Sequence, residues 1–148
     1  MTVEYLAPTA TISIGRPALQ VAIAGDPAAQ SFPIVVRRST LREAQRARSL
    51  LRAGTHDPVN FVVALEIEAA IAPHPASARA AAAHVVDDDS DTIRYVGTAR
   101  GLVSLIRDIY AAEVADAVIV VPIDGSATAA RVRELVMPEV VGVRRRVA

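Results

Sequence analysis

Residues 117–121 read AVIVV, with no polar side chain at alternate positions. Successive side chains of a strand point to opposite faces, so a strand wetted on one side alternates apolar with polar. An uninterrupted β-branched run belongs instead to a strand covered on both faces, the usual condition of a parallel sheet packed against helices. Residues 18–24 (ALQVAIA) read as a second strand, set between the turns Gly15-Arg16-Pro17 and Gly25-Asp26-Pro27. The short β-branched segment 34–36 reads as a third. Residues 60–71 (NFVVALEIEAAI) read as a long strand, with Val63, Leu65 and Ile67 on one side and Ala64, Glu66 and Glu68 on the other.

Helical spacing occupies the intervals. Thr40 and Glu43 have capping-box spacing, and Leu41, Ala44, Ala47 and Leu51 follow on one face until Gly54. Arg42, Arg46 and Arg52 lie mostly off that face. Pro73 and Pro75 break the chain, an Ala-rich helix is expected over 77–86, and an acidic loop follows from Asp87 to Asp91. Thr98 caps a helix that reaches about Glu113, with Leu102, Leu105, Ile106 and Ile109 as its buried stripe. Beyond Asp124-Gly125, Ser126 is the expected cap of a last helix whose apolar side is Val132, Leu135 and Val136, and Pro138 is expected to end or kink it.

Strands alternating with helices predict an α/β fold, a single domain over 1–148 with a mostly parallel sheet and outer helices. About four core strands are visible, half the eight of a closed β/α barrel of ~250 residues. The expected architecture is a partial, half barrel.

Composition narrows the function classes. Aromatic residues make up 3% of the chain, too few for a base-stacking surface or an aromatic sugar groove. The formal net charge is zero and every basic residue is Arg, so general attraction to nucleic acid or to an anionic membrane has no electrostatic basis. Cysteine is absent, which excludes thiolate chemistry, disulfides and Cys-ligated metal. The first residues lack the pattern of a signal peptide, and the longest apolar run, 115–123, contains Asp116 and is too short to span a bilayer. A cytoplasmic location is expected.

Few side chains are arranged for chemistry. Glu66 and Glu68 share a strand face and could split their pKa values as an acid/base pair or bind a cation; Arg partners or solvent would make them merely structural. His56, His74 and His84 are scattered, without convergent ligand spacing. The acidic run 87–91 lacks the Gly and closing Glu of a calcium loop. Ser39, Thr40, Thr98 and Ser126 are explained as caps. Arg144-Arg145-Arg146 reads as a soluble end.

Segments in order along the chain resemble luciferase-like, flavin-dependent monooxygenases, specifically the C-terminal half of their barrel. Arg16-Pro17-Ala18-Leu19-Gln20-Val21-Ala22-Ile23-Ala24-Gly25 is similar to that family's "R-P-V-L-x-Q-A-G" strand, and Leu41-Arg42-Glu43-Ala44 to its "x-x-E-A" helix. Val96-Gly97-Thr98 resembles its "VGT" loop, Ala115-Asp116-Ala117 its "ADG" turn, and Val136-Met137-Pro138-Glu139-Val140 its closing "V-P-E-L". The resemblance implies a flavin, FMN or a deazaflavin, with Gly25, Asp26 and Ser31 in the loop near its phosphate. Asp26 departs from the family there, because it brings negative charge toward an anion that needs N–H donors or Arg. Ser31 is displaced in register, and the N-terminal strands that carry much of the family's pocket have no counterpart here. Three expectations stand side by side. The chain is a fragment or subunit of such an oxidoreductase, inactive alone. Or it is a non-catalytic half-barrel that acts as a homo-oligomer or complements a separate N-terminal half. Or it is a piece of a longer enzyme.

Overall fold

A computed structural model describes residues 16–85 and 91–140. Five strands form one sheet: β1 (Gln20–Ile23), β2 (Ile34–Val36), β3 (Val63–Ile71), β4 (Ile93–Gly97) and β5 (Ala117–Pro122). The helices are α1 (Leu41–Ala53), α2 (Pro75–Ala82), α3 (Ala99–Ala111) and α4 (Ser126–Arg131), the last running into a π-helical turn, Val132–Val136. The chain is therefore α/β, and every strand pairing is parallel.

Strand β3 is the centre. One edge pairs with β5, which in turn pairs with β1. The other edge is shared, β2 taking Val63 to Leu65 and β4 taking Ile67 to Ile71. The order across the sheet is therefore β1-β5-β3-β2, with β4 beside the second half of β3, so β3 and β5 are neighbours although β4 lies between them in the chain. The parallel sheet flanked by helices is compatible with a partial barrel. Among the described residues β1 and β2 do not pair, so the sheet stays open between them.

The two faces differ. Leu65, Ile67, Ile71, Val118 and Val120 pack beneath Ala44 of α1, Leu102, Ile106 and Ile109 of α3, and Val132 and Val136 of the π turn. The opposite face carries a small cluster of Ala64, Ala117 and Ile119, touched by Ala29 and Phe32 from the turn after β1. Nearly all the large apolar burial, and hence the hydrophobic stabilisation, sits on the helical side.

Local chemistry sets the boundaries. Thr40 caps α1 by accepting the Glu43 N–H, while the Glu43 carboxylate takes the Ser39 hydroxyl. Thr98 caps α3 by accepting from the Gly101 N–H. Glu113, at φ 59, turns the chain out of α3.

Several expectations are corrected. The described residues hold five strands: β4 contains Val96 and Gly97, read from sequence as a loop. Residues 92–96 carry the strand formers Thr92, Ile93, Tyr95 and Val96, but the run is short, ends in Gly and, among the described residues, pairs with β3 alone. Pro75 starts α2 at the position where a missing N–H costs nothing, and the helix covers Pro75–Ala82. Gly125 rather than Ser126 caps α4. Leu41 and Leu51 are exposed, and the inward residues of α1 are Ala44 and Arg48. Leu135 is exposed as well. The wider π turn keeps Val132 and Val136 inward and carries Leu135 off the stripe that α-helical spacing predicts. Pro138 does not end the helix, which continues to residue 140. A proline clashes with the carbonyl four residues back, and the π turn, where the Met137 N–H reaches the Val132 carbonyl, precedes it and loosens that stretch. The run Asp87 to Ser90, the lead with Ile12 and Ile14, and the tail with Arg144 to Arg146 lie outside the described residues.

Candidate functional site

Parallel strands deliver their C-terminal ends to one side of the sheet, and ligands of such folds are bound there. The three residues singled out from the sequence follow β1 on that side. Gly25 has φ +97, open to glycine and strained for other residues, and a Cβ on it would meet nothing within 4 Å. The Asp26 N–H donates to the Ile23 carbonyl (3.0 Å), and its carbonyl accepts from Ala29 (3.0 Å). Both Asp26 carboxylate oxygens take Nη2 of Arg133, each at 2.9 Å. Ser31 ends the 3-10 turn Pro27–Ser31, and its hydroxyl donates back to the Ala28 carbonyl at 2.7 Å. Gly25 and Asp26 are thus joined to Arg133, whereas Ser31 is consumed within its own turn.

Beside them lies the end of β5. Ile123 donates to the Ala69 carbonyl, and Asp124 holds one buried carboxylate oxygen with no hydrogen-bond partner among the described residues. Gly125 turns with φ +90, again with open space where a side chain would stand. At the end of β3, Thr128 Oγ1 accepts the Ile71 N–H (3.0 Å) and Arg131 donates to the Ile71 carbonyl (2.7 Å), so the last helix completes the strand's free backbone groups. Sequence reasoning missed Asp124, Arg131 and Arg133. Two arginines two apart point to different sides of an α-helix, and only the π turn and the neighbouring strand ends give them a shared purpose.

The opposite end of the sheet holds the most buried charges. Asp116, fully buried, sits just before β5. Its carboxylate accepts from Arg48 Nε (3.1 Å) and Nη2 (2.9 Å), Arg16 Nε (3.0 Å) and the Val63 N–H (3.0 Å). Burial pushes this carboxyl upward, but the Arg48 bonds, the Val63 amide, Arg16 and the Arg48 charge together hold it below the usual aspartate range. Arg16 also lies over the Tyr110 ring at 3.8 Å, and the Tyr110 hydroxyl donates to the Pro17 carbonyl. Two segments that carried the sequence resemblance, Arg16-Pro17 and Ala115-Asp116-Ala117, are therefore bonded to each other. With both Asp116 oxygens engaged by four donors, and at the N-terminal end of the strands, this cluster pins the sheet rather than offering a reactive group.

Glu66 and Glu68 point away from the helices, on the face with the small cluster. Arg37 bonds Glu66 at 2.7 Å and Arg94 bonds Glu68 at 3.0 Å. Glu68 and Arg94 are also register partners across β3 and β4. Each carboxylate has its own Arg, so the pair is not arranged as a shared-proton dyad. Among the described residues, no cluster of three His, Asp or Glu side chains is placed to hold a metal ion, and no helix is long and apolar enough to cross a membrane.

A flavin phosphate needs donors at the loop after β1. There the Asp26 and Ala29 amides and the Ser31 hydroxyl are spent on neighbouring carbonyls, Pro27 has no N–H, and Arg133 is held by Asp26. Of the three residues that the resemblance points to, Asp26 and Ser31 have their polar side chains engaged within the protein. No family model matches the chain, and no curated protein matches it either.

Proposed function

We propose that this chain is a luciferase-like half-barrel that works by assembly, with a second copy or with a complementary N-terminal half, and holds no flavin by itself. The observation that carries the reading is the one-sided sheet. The parallel strands β3 and β5 lie beneath α1 and α3, while the other face, among the described residues, bears the small cluster of Ala64, Ala117 and Ile119. In a closed barrel that second face becomes the inner wall. Oxidoreductase activity with FMN or a deazaflavin then belongs to a completed barrel, to which the partner brings the remaining strands.

The test is size-exclusion chromatography with light scattering at micromolar concentration, reading absorbance at flavin wavelengths on the same peak. A colourless assembly of at least twice the chain mass is expected. A monomer refutes the assembly reading, and a yellow peak from this chain alone restores the independent flavoenzyme.

A further inference from the structure

Four charged side chains stand at the C-terminal ends of β1, β5 and β3: Asp26, Asp124, Arg131 and Arg133. Arg131 is committed to a backbone carbonyl, which leaves Arg133 as the cation facing the loop after β1. It is half exposed and lies in the π turn, a distortion often found where a helix aims a side chain at a functional position. Gly25 in the turn after β1 and Gly125 in the turn after β5 both have positive φ and open space where a Cβ would be. A cation at the end of a parallel sheet, beside open glycine turns, is the arrangement that receives an anionic ligand. Here the position is taken: the Asp26 carboxylate lies against Arg133 with both oxygens at 2.9 Å.

We infer that Asp26 is a built-in occupant of an anion seat formed by Arg133 beside Gly25, which closes this end of the sheet to phosphate-bearing ligands. The carboxylate acts in two ways. It neutralises the guanidinium, and it repels a second anion from the same few ångströms. Removing its charge while keeping its shape changes the local balance from two acids and two bases to one acid and two bases. The geometry stands independently of the luciferase-like reading; only the expectation that a flavin phosphate would use the opened seat rests on it.

The experiment is titration with inorganic phosphate at constant ionic strength, chloride serving as the control, followed by 31P line broadening and by thermal melting. Wild type, Asp26→Asn and the double variant Asp26→Asn/Arg133→Ala are compared, with Asp26→Ser as a second variant should the first be poorly folded. Wild type is expected to show no saturable response. Loss of the Asp26 charge is expected to tighten phosphate binding by about tenfold or more, a gain that the double variant loses. Saturable binding to wild type overturns the inference. So does the absence of a gain in both single variants, or a gain that survives loss of Arg133. A gain for phosphate without one for FMN upholds the seat and counts against the luciferase-like reading, whose assembly arm is judged separately by light scattering.

Discussion

Replacing Asp116 by alanine leaves four donors facing an empty site: Arg48 Nε and Nη2, Arg16 Nε and the Val63 N–H. Arg48 is 2% exposed and cannot turn to solvent without unpacking α1 from the sheet. Breaking a buried ion pair from one side costs about 3–5 kcal/mol, because the surviving charge remains desolvated. We expect Asp116→Ala to cost about 4 kcal/mol, a large part of the 5–15 kcal/mol typical of a domain, and to lower Tm by roughly 8–16 °C. Arg48→Met leaves Asp116 its bonds to Arg16 and Val63, so about 2 kcal/mol is expected. Joining Arg48→Met to Asp116→Leu removes both charges, and its cost should fall well short of the sum of the two single changes. Urea unfolding followed by circular dichroism measures all of these, with an unchanged m-value confirming that the same state unfolds. The sign with pH follows from the lowered Asp116 carboxyl. Its contribution is complete above the ordinary aspartate value of about 3.9 and disappears as pH falls through the lower folded value, so wild type loses its lead over Asp116→Ala only in acid. A cost below about 1 kcal/mol for Asp116→Ala, or strict additivity in the double variant, refutes the account of this cluster as the sheet's pin.

Other substitutions probe separate features. Val136→Ala should cost about 1–3 kcal/mol by calorimetry, whereas Leu135→Gln should stay within about 0.5 kcal/mol; equal costs would mean an α-helical rather than a π turn there. A Cβ on Gly101 would meet the Tyr95 hydroxyl, which donates to the Thr98 carbonyl, so Gly101→Ala should destabilise by about 1–3 kcal/mol. Adding Tyr95→Phe should recover part of that loss in chemical denaturation. Glu68→Gln removes a part-buried pair with Arg94 and should cost about 1 kcal/mol, with a salt dependence that weakens in the variant.

The sequence alone determined what local patterns encode. The unbroken apolar run of β5, the alternation in β3, the caps at Thr40 and Thr98 and the turn glycines follow from residue-scale rules, and with them the α/β class and the two-sided burial of β5. Tertiary structure decided the rest, because it depends on partners distant in the chain. Strand β4 exists through β3, and Arg48, one of many arginines on α1, becomes buried because Asp116 stands 68 residues away. At the candidate site, Gly25 and Asp26 were legible as a turn after a strand, but Arg133 lies 107 residues from Asp26 and reaches it from a π turn no periodicity announces. A buried charge has no sequence signature of its own and a short edge strand only a weak one; each is stable only once the opposite charge or the neighbouring ladder is in place.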